Sequence, residues 1–294
     1  MDRMLRNGLI AFALTATGLI AAANPANAQT KASRTSAVAS PSYFTATPGL
    51  HMERSVDGVL TVTFNTRGGP YKFSAADHEA FVDAFYSISR DRANKVVILT
   101  GAGGEWIGDI DFASFGDVSD PDGWSKVHDE GAQALENLLN IRVPVICAVE
   151  GKAWVHSEYC LTANVVIAAA GATFNDAPHF AGGIVPGDGI FTAWSYYAGP
   201  GRAQAWLLDP KPISAQTAQN WGVVAEVTPN GGAVARANAL AAQWLKAPEV
   251  TRRNTRIHFV QPLKERIIRE TGYGLQLEGS SASAVVKASK GAVK

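Results

Sequence analysis

The stretch ATFNDAPHFAGGIVPGDG, residues 172–189, contains two residues suited to proton transfer, His179 and Asp188. A neutral imidazole has an ordinary pKa near 6.5 and can take a proton from water at neutral pH. A partner carboxylate fixes the tautomer of the imidazole and stabilises the imidazolium that forms. The turn GIVPGDG, with three glycines and a proline, lets Asp188 fold back on His179. The pattern therefore predicts a histidine–aspartate dyad that activates water.

Other residues nearby have two interpretations. His156 follows the strand-like run VPVICAVEG and can donate a hydrogen bond to a substrate oxygen. The loss of one such donor typically slows turnover by about 10² to 10³. Asp188 could instead cap a helix that begins near Ile190, because Asp is a preferred N-cap residue. Glu158 and Asp176 are interpreted as carboxylates that bind backbone N–H groups in a turn.

The segments that must position these residues alternate between strand and helix. VDGVLTVTF alternates at period two, SAADHEAFVDAFYSISRD has apolar residues at helical spacing after the N-cap Ser74, and KVVILTG reads as a buried strand. The same patterns give a helix in SKVHDEGAQALENLLNIR, strands in VPVICAVEG, NVVIAAA and ATF, and a helix in FTAWSYYAG. The alternation predicts an α/β core over residues 50–200. A helical region over residues 201–294 would serve oligomerisation and cover the active site.

The N-terminal 28 residues have the pattern of a signal peptide. Arg3 and Arg6 precede the uncharged run GLIAFALTATGLIAAA, and Ala26 and Ala28 fit a small-residue cleavage rule. The alternative is a membrane anchor, but the apolar run is short for a spanning helix of about 20 residues. Residues 29–49 form a polar tract that predicts a flexible arm. The mature protein is therefore expected in the periplasm or secreted.

Charge and cysteine content restrict the classes of partner and ligand that we expect this chain to bind. The chain has 26 acidic and 26 basic side chains, and this balance gives no reason to expect nucleic acid or an anionic membrane surface as a partner. The two cysteines, Cys147 and Cys160, show no metal-ligand spacing, so we predict no metal. An oxidising compartment would permit a disulfide between them, but a separation of 13 fits two buried thiols equally well, and we favour buried thiols.

Four ordered motifs carry a family resemblance. NKVVILTGAGGEWIGDIDFASF, VPVICAVEGKAW, ATFNDAPHFAGGIVPGDG and DPKPISAQTAQNWGVVAEV together resemble the crotonase (enoyl-CoA hydratase/isomerase) superfamily over residues 50–280. The resemblance implies an α/β fold, a crotonase-like spiral of strand-strand-helix units in two roughly perpendicular sheets, with a helical C-terminal region. It also implies a homotrimer or homohexamer.

The departures from that family point to one branch of it. Tyr159 stands where hydratases have one catalytic glutamate, and His179 stands where they have the other. The pattern is similar to the CoA-independent carbon–carbon hydrolases typified by 6-oxocamphor hydrolase and related beta-diketone hydrolases. That resemblance implies His179, Asp188 and His156 as catalytic residues, and His78 and Glu278 as substrate-binding residues.

The substrate pocket is expected to be apolar. Phe73 replaces a tryptophan of that branch, which removes an indole N–H donor, and Phe73, Trp106 and Trp154 together predict an apolar lining. The predicted activity is the hydrolysis of a carbon–carbon bond in a beta-diketone by an exported enzyme without a cofactor. The alternatives are a CoA-dependent enzyme with rearranged catalytic groups and a crotonase-fold binding protein without catalysis. Export favours the first, because CoA thioesters are made and used inside the cell.

Overall fold

The computed structural model describes residues 40–292, so the predicted signal peptide and most of the predicted arm lie outside the described residues. The strands are β1 (Leu50–Arg54), β2 (Val59–Phe64), β3 (Lys72–Phe73), β4 (Val96–Gly101), β5 (Asp109–Ile110), β6 (Val145–Val149), β7 (Lys152–Ala153), β8 (Val165–Ala169), β9 (Thr173–Phe174), β10 (Ile213–Ser214) and β11 (Glu226–Thr228). The helices are α1 (Ala75–Arg90), α2 (Pro121–Leu139), α3 (Ser157–Leu161), α4 (Ile190–Ala198), α5 (Pro200–Leu208), α6 (Ala215–Asn220), α7 (Ala233–Trp244) and α8 (Glu249–Ala292).

The main sheet has the strand order β1-β2-β4-β6-β8-β11. The pair β1 and β2 is antiparallel, and the other neighbours are parallel. Strands β4 and β6 are almost entirely apolar because both faces of the sheet are covered. Val96 and Ile98 face a cluster that includes the alanines of α7, whereas Val97 and Leu99 face the larger core that includes α1 and α2. The sheet is therefore the middle layer of the fold.

Two small sheets extend the main one toward the candidate site. One has the order β10-β9-β7, and the other pairs β3 with β5. The segments that follow β7 and β9 carry His156, His179 and Asp188, and β3 carries Phe73. The predicted α/β fold with a helical C-terminal region is confirmed.

The boundary between the core and the C-terminal region differs from the prediction. Strand β11 lies after residue 200 yet pairs in parallel with β8, so the sheet continues into the segment expected to be helical. At the other end, Phe44 is buried in the main core, so residues 40–49 are not a free arm. Within the described residues, no helix combines the length and apolar character needed to cross a membrane.

The two cysteines are bonded, which corrects the expectation of free thiols. Cys147 of β6 and Cys160 of α3 form a disulfide with their Cα atoms 5.3 Å apart. Sequence separation could not reveal this, because the approach depends on α3 folding back over the sheet. The bond fixes α3, the helix that directly follows His156, to the centre of the main sheet.

Candidate active site

A cavity of about 380 Å³ opens between the loop after β5, helix α2 and the second half of α8. Its wall is mainly apolar and includes Phe115, Trp124 and Val285. Its polar end gathers five of the predicted residues, which are His78, His156, His179, Asp188 and Glu278. No lysine or arginine from the described part of the chain lines it.

His179 contacts a different carboxylate from the one predicted. It follows β9, and its Nδ1 lies 2.6 Å from Oδ1 of Asp176, three residues earlier in the same turn. Its Nε2 lies 3.8 Å from Oδ2 of Asp188 and 3.7 Å from Oε1 of Glu278. The expectation that Asp188 orients the imidazole is therefore corrected: Asp176 holds Nδ1, and Asp188 and Glu278 face the nitrogen on the cavity side.

Asp188 combines the two interpretations that the sequence left open. Its Oδ1 accepts a hydrogen bond from the backbone N–H of Ile190, 3.1 Å away, at the start of α4. Its Oδ2 lies between the two histidines, 3.4 Å from Nδ1 of His156 and 3.8 Å from Nε2 of His179. One oxygen therefore stabilises the helix start, and the other places a negative charge between the imidazoles.

His156 is held in an unusual backbone conformation. Its φ of 46° and ψ of 45° are left-handed, which is uncommon outside glycine. Its Nδ1 lies 2.6 Å from Oε1 of Glu158, and its ring stacks on Tyr159 with centroids 4.6 Å apart. The ring of Phe73 lies 4.2 Å away and borders the cavity, so Phe73 gives His156 an apolar neighbour on the cavity side.

Two buried imidazoles at this site favour the protonated form. Burial opposes the charge on His156, but the carboxylates of Glu158 and Asp188 outweigh it and raise the pKa of His156 to about 9. Burial also opposes the charge on His179, but the carboxylates of Asp188 and Asp176 outweigh this effect and raise the pKa of His179 well above its ordinary value. Both rings therefore hold a proton more strongly than an exposed histidine does.

The pKa values of the carboxylates in this site are shifted in opposite directions. Burial would raise the pKa of Asp188, but the adjacent His179 and His156 lower it to about 2. Burial raises the pKa of Glu278 despite the neighbouring His179. Burial also raises the pKa of Glu158, to about 7, and the nearby Asp188 charge adds to that shift. Asp188 is therefore the fixed anion, and Glu278 holds its proton more strongly than an exposed glutamate does.

Of the other predicted residues, Phe73 and His78 border the cavity, whereas Trp106 and Trp154 do not. His78 borders the cavity with Nδ1 2.9 Å from Oε2 of Glu130, and burial lowers the pKa of His78. The prediction that Trp106 and Trp154 line the pocket is wrong. Trp106 is wholly buried, and its Nε1 donates to the backbone oxygen of His156. Trp154 donates to Thr173 across the β7–β9 pair instead.

Sequence reasoning missed the roles of two carboxylates. Asp176 and Glu158 were assigned to turns, yet each contacts the Nδ1 of a site histidine. The available signal was spacing, since each lies within three residues of its histidine. Two groups of side chains could also reach a metal ion: His156, Glu158 and Asp188, and His179, Asp188 and Glu278. The expectation of a metal-free site stays a prediction.

The sequence pattern of the enoyl-CoA hydratase/isomerase family matches residues 54–289. The chain belongs to this family. A probable peroxisomal enoyl-CoA hydratase 1 of Arabidopsis thaliana is 26% identical over 206 residues, which cover 67% of this chain and 73% of that protein. The 1,2-epoxyphenylacetyl-CoA isomerase of Escherichia coli K12 is 29% identical over 183 residues, covering 60% and 68%.

Solved structures agree with this family and with the branch that the motifs resemble. ABDH, a beta-diketone hydrolase from the cyanobacterium Anabaena sp. PCC 7120 bound to (S)-3-oxocyclohexyl acetic acid, is 43% identical with a TM-score of 0.83. The alignment covers 84% of this chain and 99% of ABDH. An enoyl-CoA hydratase/isomerase from Mycobacterium paratuberculosis is 23% identical with a TM-score of 0.75, covering 82% and 98%, which supports the fold. The predicted resemblance is confirmed.

Proposed function

We propose that this enzyme hydrolyses a carbon–carbon bond of a beta-diketone without CoA. The observation that carries the proposal is the polar end of the cavity, where Nε2 of His179 faces oxygens of Asp188 and Glu278 at 3.8 and 3.7 Å. A water molecule about 2.8 Å from that nitrogen could also hydrogen-bond to both carboxylates. The 43% identity to a beta-diketone hydrolase supports the same chemistry.

The proposed reaction needs no other reagent. The oxygen of water bonds to one carbonyl carbon as His179 takes a proton. The bond from that carbon to the carbon between the carbonyls then breaks, and its electron pair forms the enolate of the other carbonyl. His179 returns the proton that it took from water to the enolate carbon, which gives a ketone, and the first fragment leaves as a carboxylic acid. In this proposal His156 donates a hydrogen bond to the enolate oxygen, and His78 and Phe73 bind the substrate.

CoA-dependent chemistry is the second candidate, because the relatives in Arabidopsis thaliana and Escherichia coli are named for CoA substrates. The cavity favours the first candidate. CoA carries phosphates, which proteins bind with Arg, Lys or helix N-termini, and no lysine or arginine of the described residues lines the cavity. An uncharged diketone suits an apolar wall with carboxylates at its end.

The test is to incubate purified protein with cyclic and linear 1,3-diketones without CoA, and separately with enoyl-CoA substrates. We expect turnover of a diketone, and a loss of about 10² to 10⁴ in rate for His179→Ala. His51→Gln is the matched control, since the His51 side chain is exposed and lies against Glu53, away from the cavity. Turnover of the CoA substrates alone would overturn the proposal.

We also propose that the protein is exported and cleaved after Ala28. Support comes from the leader-like sequence and from the Cys147–Cys160 disulfide, since disulfides persist in oxidising compartments. Sequencing of the protein from its native host should give an N-terminus near Gln29. An intact Met1 would refute export by this route.

A further inference from the structure

Glu158 is a buried carboxylate that the proposed reaction does not use. The side chain is 0% exposed and lies in the first turn of α3. Its Oε1 is 2.6 Å from Nδ1 of His156, and its Oε2 has no hydrogen-bond partner in the described part of the chain. Burial of a carboxylate is costly unless it is paired. The contact with the His156 imidazole therefore explains why a carboxylate is tolerated at this buried position.

The surroundings of His156 restrict its ring. The left-handed backbone is fixed where Trp106 donates to the His156 carbonyl oxygen, and the ring stacks on Tyr159 with an interplanar angle of 7°. In this position Nδ1 faces Glu158. The opposite ring nitrogen, Nε2, remains for the cavity that His156 lines.

We propose that Glu158 is a positioning residue that keeps both nitrogens of His156 protonated, so that Nε2 presents an N–H to the enolate oxygen of the substrate. The carboxylate accepts the Nδ1 proton and balances the charge of the ring. A neutral ring with its proton on Nδ1 would instead present a lone pair to the enolate. The leaving electron pair would then be repelled rather than stabilised.

Asp188 does not replace Glu158 in this role. Its Oδ2 is 3.4 Å from Nδ1 of His156, beyond good hydrogen-bond distance, and its other oxygen is bonded to Ile190. Asp188 also serves His179, whereas Glu158 contacts His156 alone among the site histidines. The shorter contact therefore belongs to Glu158.

Several charged or titratable groups surround His156. Glu158 and Tyr159 come from α3, Asp188 precedes α4, His78 comes from α1, and Glu278 comes from α8 beside His179. Without the Glu158 charge, burial and the remaining histidines still oppose protonation, and only the more distant carboxylates favour it. The pKa of His156 must then fall below about 9.

The experiment compares Glu158→Gln with wild type, because glutamine keeps the shape and removes the charge. Asp91→Asn is the matched control: Asp91 pairs with Arg54 away from the cavity. In nuclear magnetic resonance titrations of ¹⁵N-labelled histidine, assigned with His156→Gln, we expect the pKa of His156 to fall by at least about 1 unit in Glu158→Gln. It should not change in Asp91→Asn. An unchanged pKa in Glu158→Gln would overturn the proposal.

The kinetic arm rests on the proposed function. The alkaline limb of kcat against pH should move to lower pH in Glu158→Gln. For a fall of about 1 unit from about 9, the protonated fraction of His156 at pH 8.5, and kcat with it, should drop by about 3-fold. A uniform loss at every pH would overturn the proposal. If wild type turns over no diketone, the proposed function fails while the titration still tests Glu158. If Glu158→Gln does not fold, Glu158→Asp, which lengthens the contact, should lower the same pKa.

Discussion

The two nitrogens of His179 face different carboxylates, and the role of each carboxylate can be tested by a single substitution. Asp176 holds Nδ1 at 2.6 Å, so we expect Asp176→Asn to lower kcat by about 10² to 10⁴, because the amide can stabilise the wrong tautomer. Steady-state kinetics and thermal unfolding would measure this effect. Asp209→Asn is the control, since Asp209 is exposed and pairs with Lys211 away from the cavity. A kcat near that of wild type for Asp176→Asn would remove Asp176 from the mechanism.

Asp188 should respond differently from Asp176. Asn caps helices about as well as Asp, so Asp188→Asn should keep its contact with Ile190 and its thermal stability. It removes the charge between the two histidines and should lower kcat. Combined with His179→Ala, it should add little further loss, because residues that act as a unit are not additive. An unchanged kcat for Asp188→Asn would leave this residue only its helix-capping role.

The raised pKa values set the pH range of activity. His179 must lose its proton before it can accept one from water, and Asp188 and Asp176 raise its pKa despite burial. The acid limb of kcat against pH should therefore lie well above 6.5, the ordinary histidine value. Above about 9, His156 loses its proton and activity should fall again. Maximal activity at pH 6 would contradict both assignments.

At the scale of elements, sequence patterns predicted most of the long strands, although not Leu50–Arg54, and of the two-residue strands they predicted only Thr173–Phe174 among those described. Val96–Gly101 and Val145–Val149 are continuous apolar runs because both sheet faces are covered. Strands of two residues, such as Lys152–Ala153, are too short to show a period. The error at Trp154 has the same origin, since pairing of β7 with β9 turns it toward Thr173.

Most of the polar end was predictable, but its internal pairing was not. His156, His179, Asp188 and Glu278 meet at the cavity as the family motifs implied. The partner of each Nδ1 depends on turn geometry and on the left-handed backbone of His156, which no periodicity encodes. The disulfide was missed for a similar reason, because it depends on the path of the chain between β6 and α3.

Helix α8 closes over the site through a contact between two backbones. A Cβ atom on Gly274 would overlap the carbonyl group of Gly187, which precedes Asp188. Gly274→Ala should therefore push α8 away from the Asp188 segment, destabilise the fold by about 1 to 3 kcal/mol and lower kcat. Thermal unfolding and kinetics would measure both effects.

Gly272→Ala is the matched control for that variant. It lies in the same helix, and the nearest atom to its added Cβ would be Nε2 of His128 at 3.9 Å. This variant should retain kcat and be up to about 1 kcal/mol more stable, because alanine favours helix over glycine. Equal effects of the two substitutions would contradict a specific contact at Gly274.

At the scale of the whole molecule, α8 presents apolar side chains beside its buried face. Phe259 and Tyr273 are 63% and 72% exposed, and Leu277 is also exposed. At 100° per residue, these three positions lie within about 40° of one another around the helix. Arg266 and Glu270 lie between Phe259 and Tyr273 on this face, where they pair with each other and bond to α4, so the exposed apolar side chains are separate contacts and not a continuous patch. Phe259 and Tyr273 are the contacts that we expect to be covered in the proposed homotrimer or homohexamer.

Light scattering at micromolar concentration should give the mass of a trimer or hexamer for wild type. Tyr273→Glu combined with Phe259→Glu should lower that mass, because a closed assembly would bury charges where apolar contacts had been. Val56→Glu is the matched control, since Val56 is fully exposed in the turn between β1 and β2, and its mass should equal that of wild type. A stable wild-type monomer would contradict assembly itself, whereas an unchanged oligomer in the double variant would assign the interface to another surface.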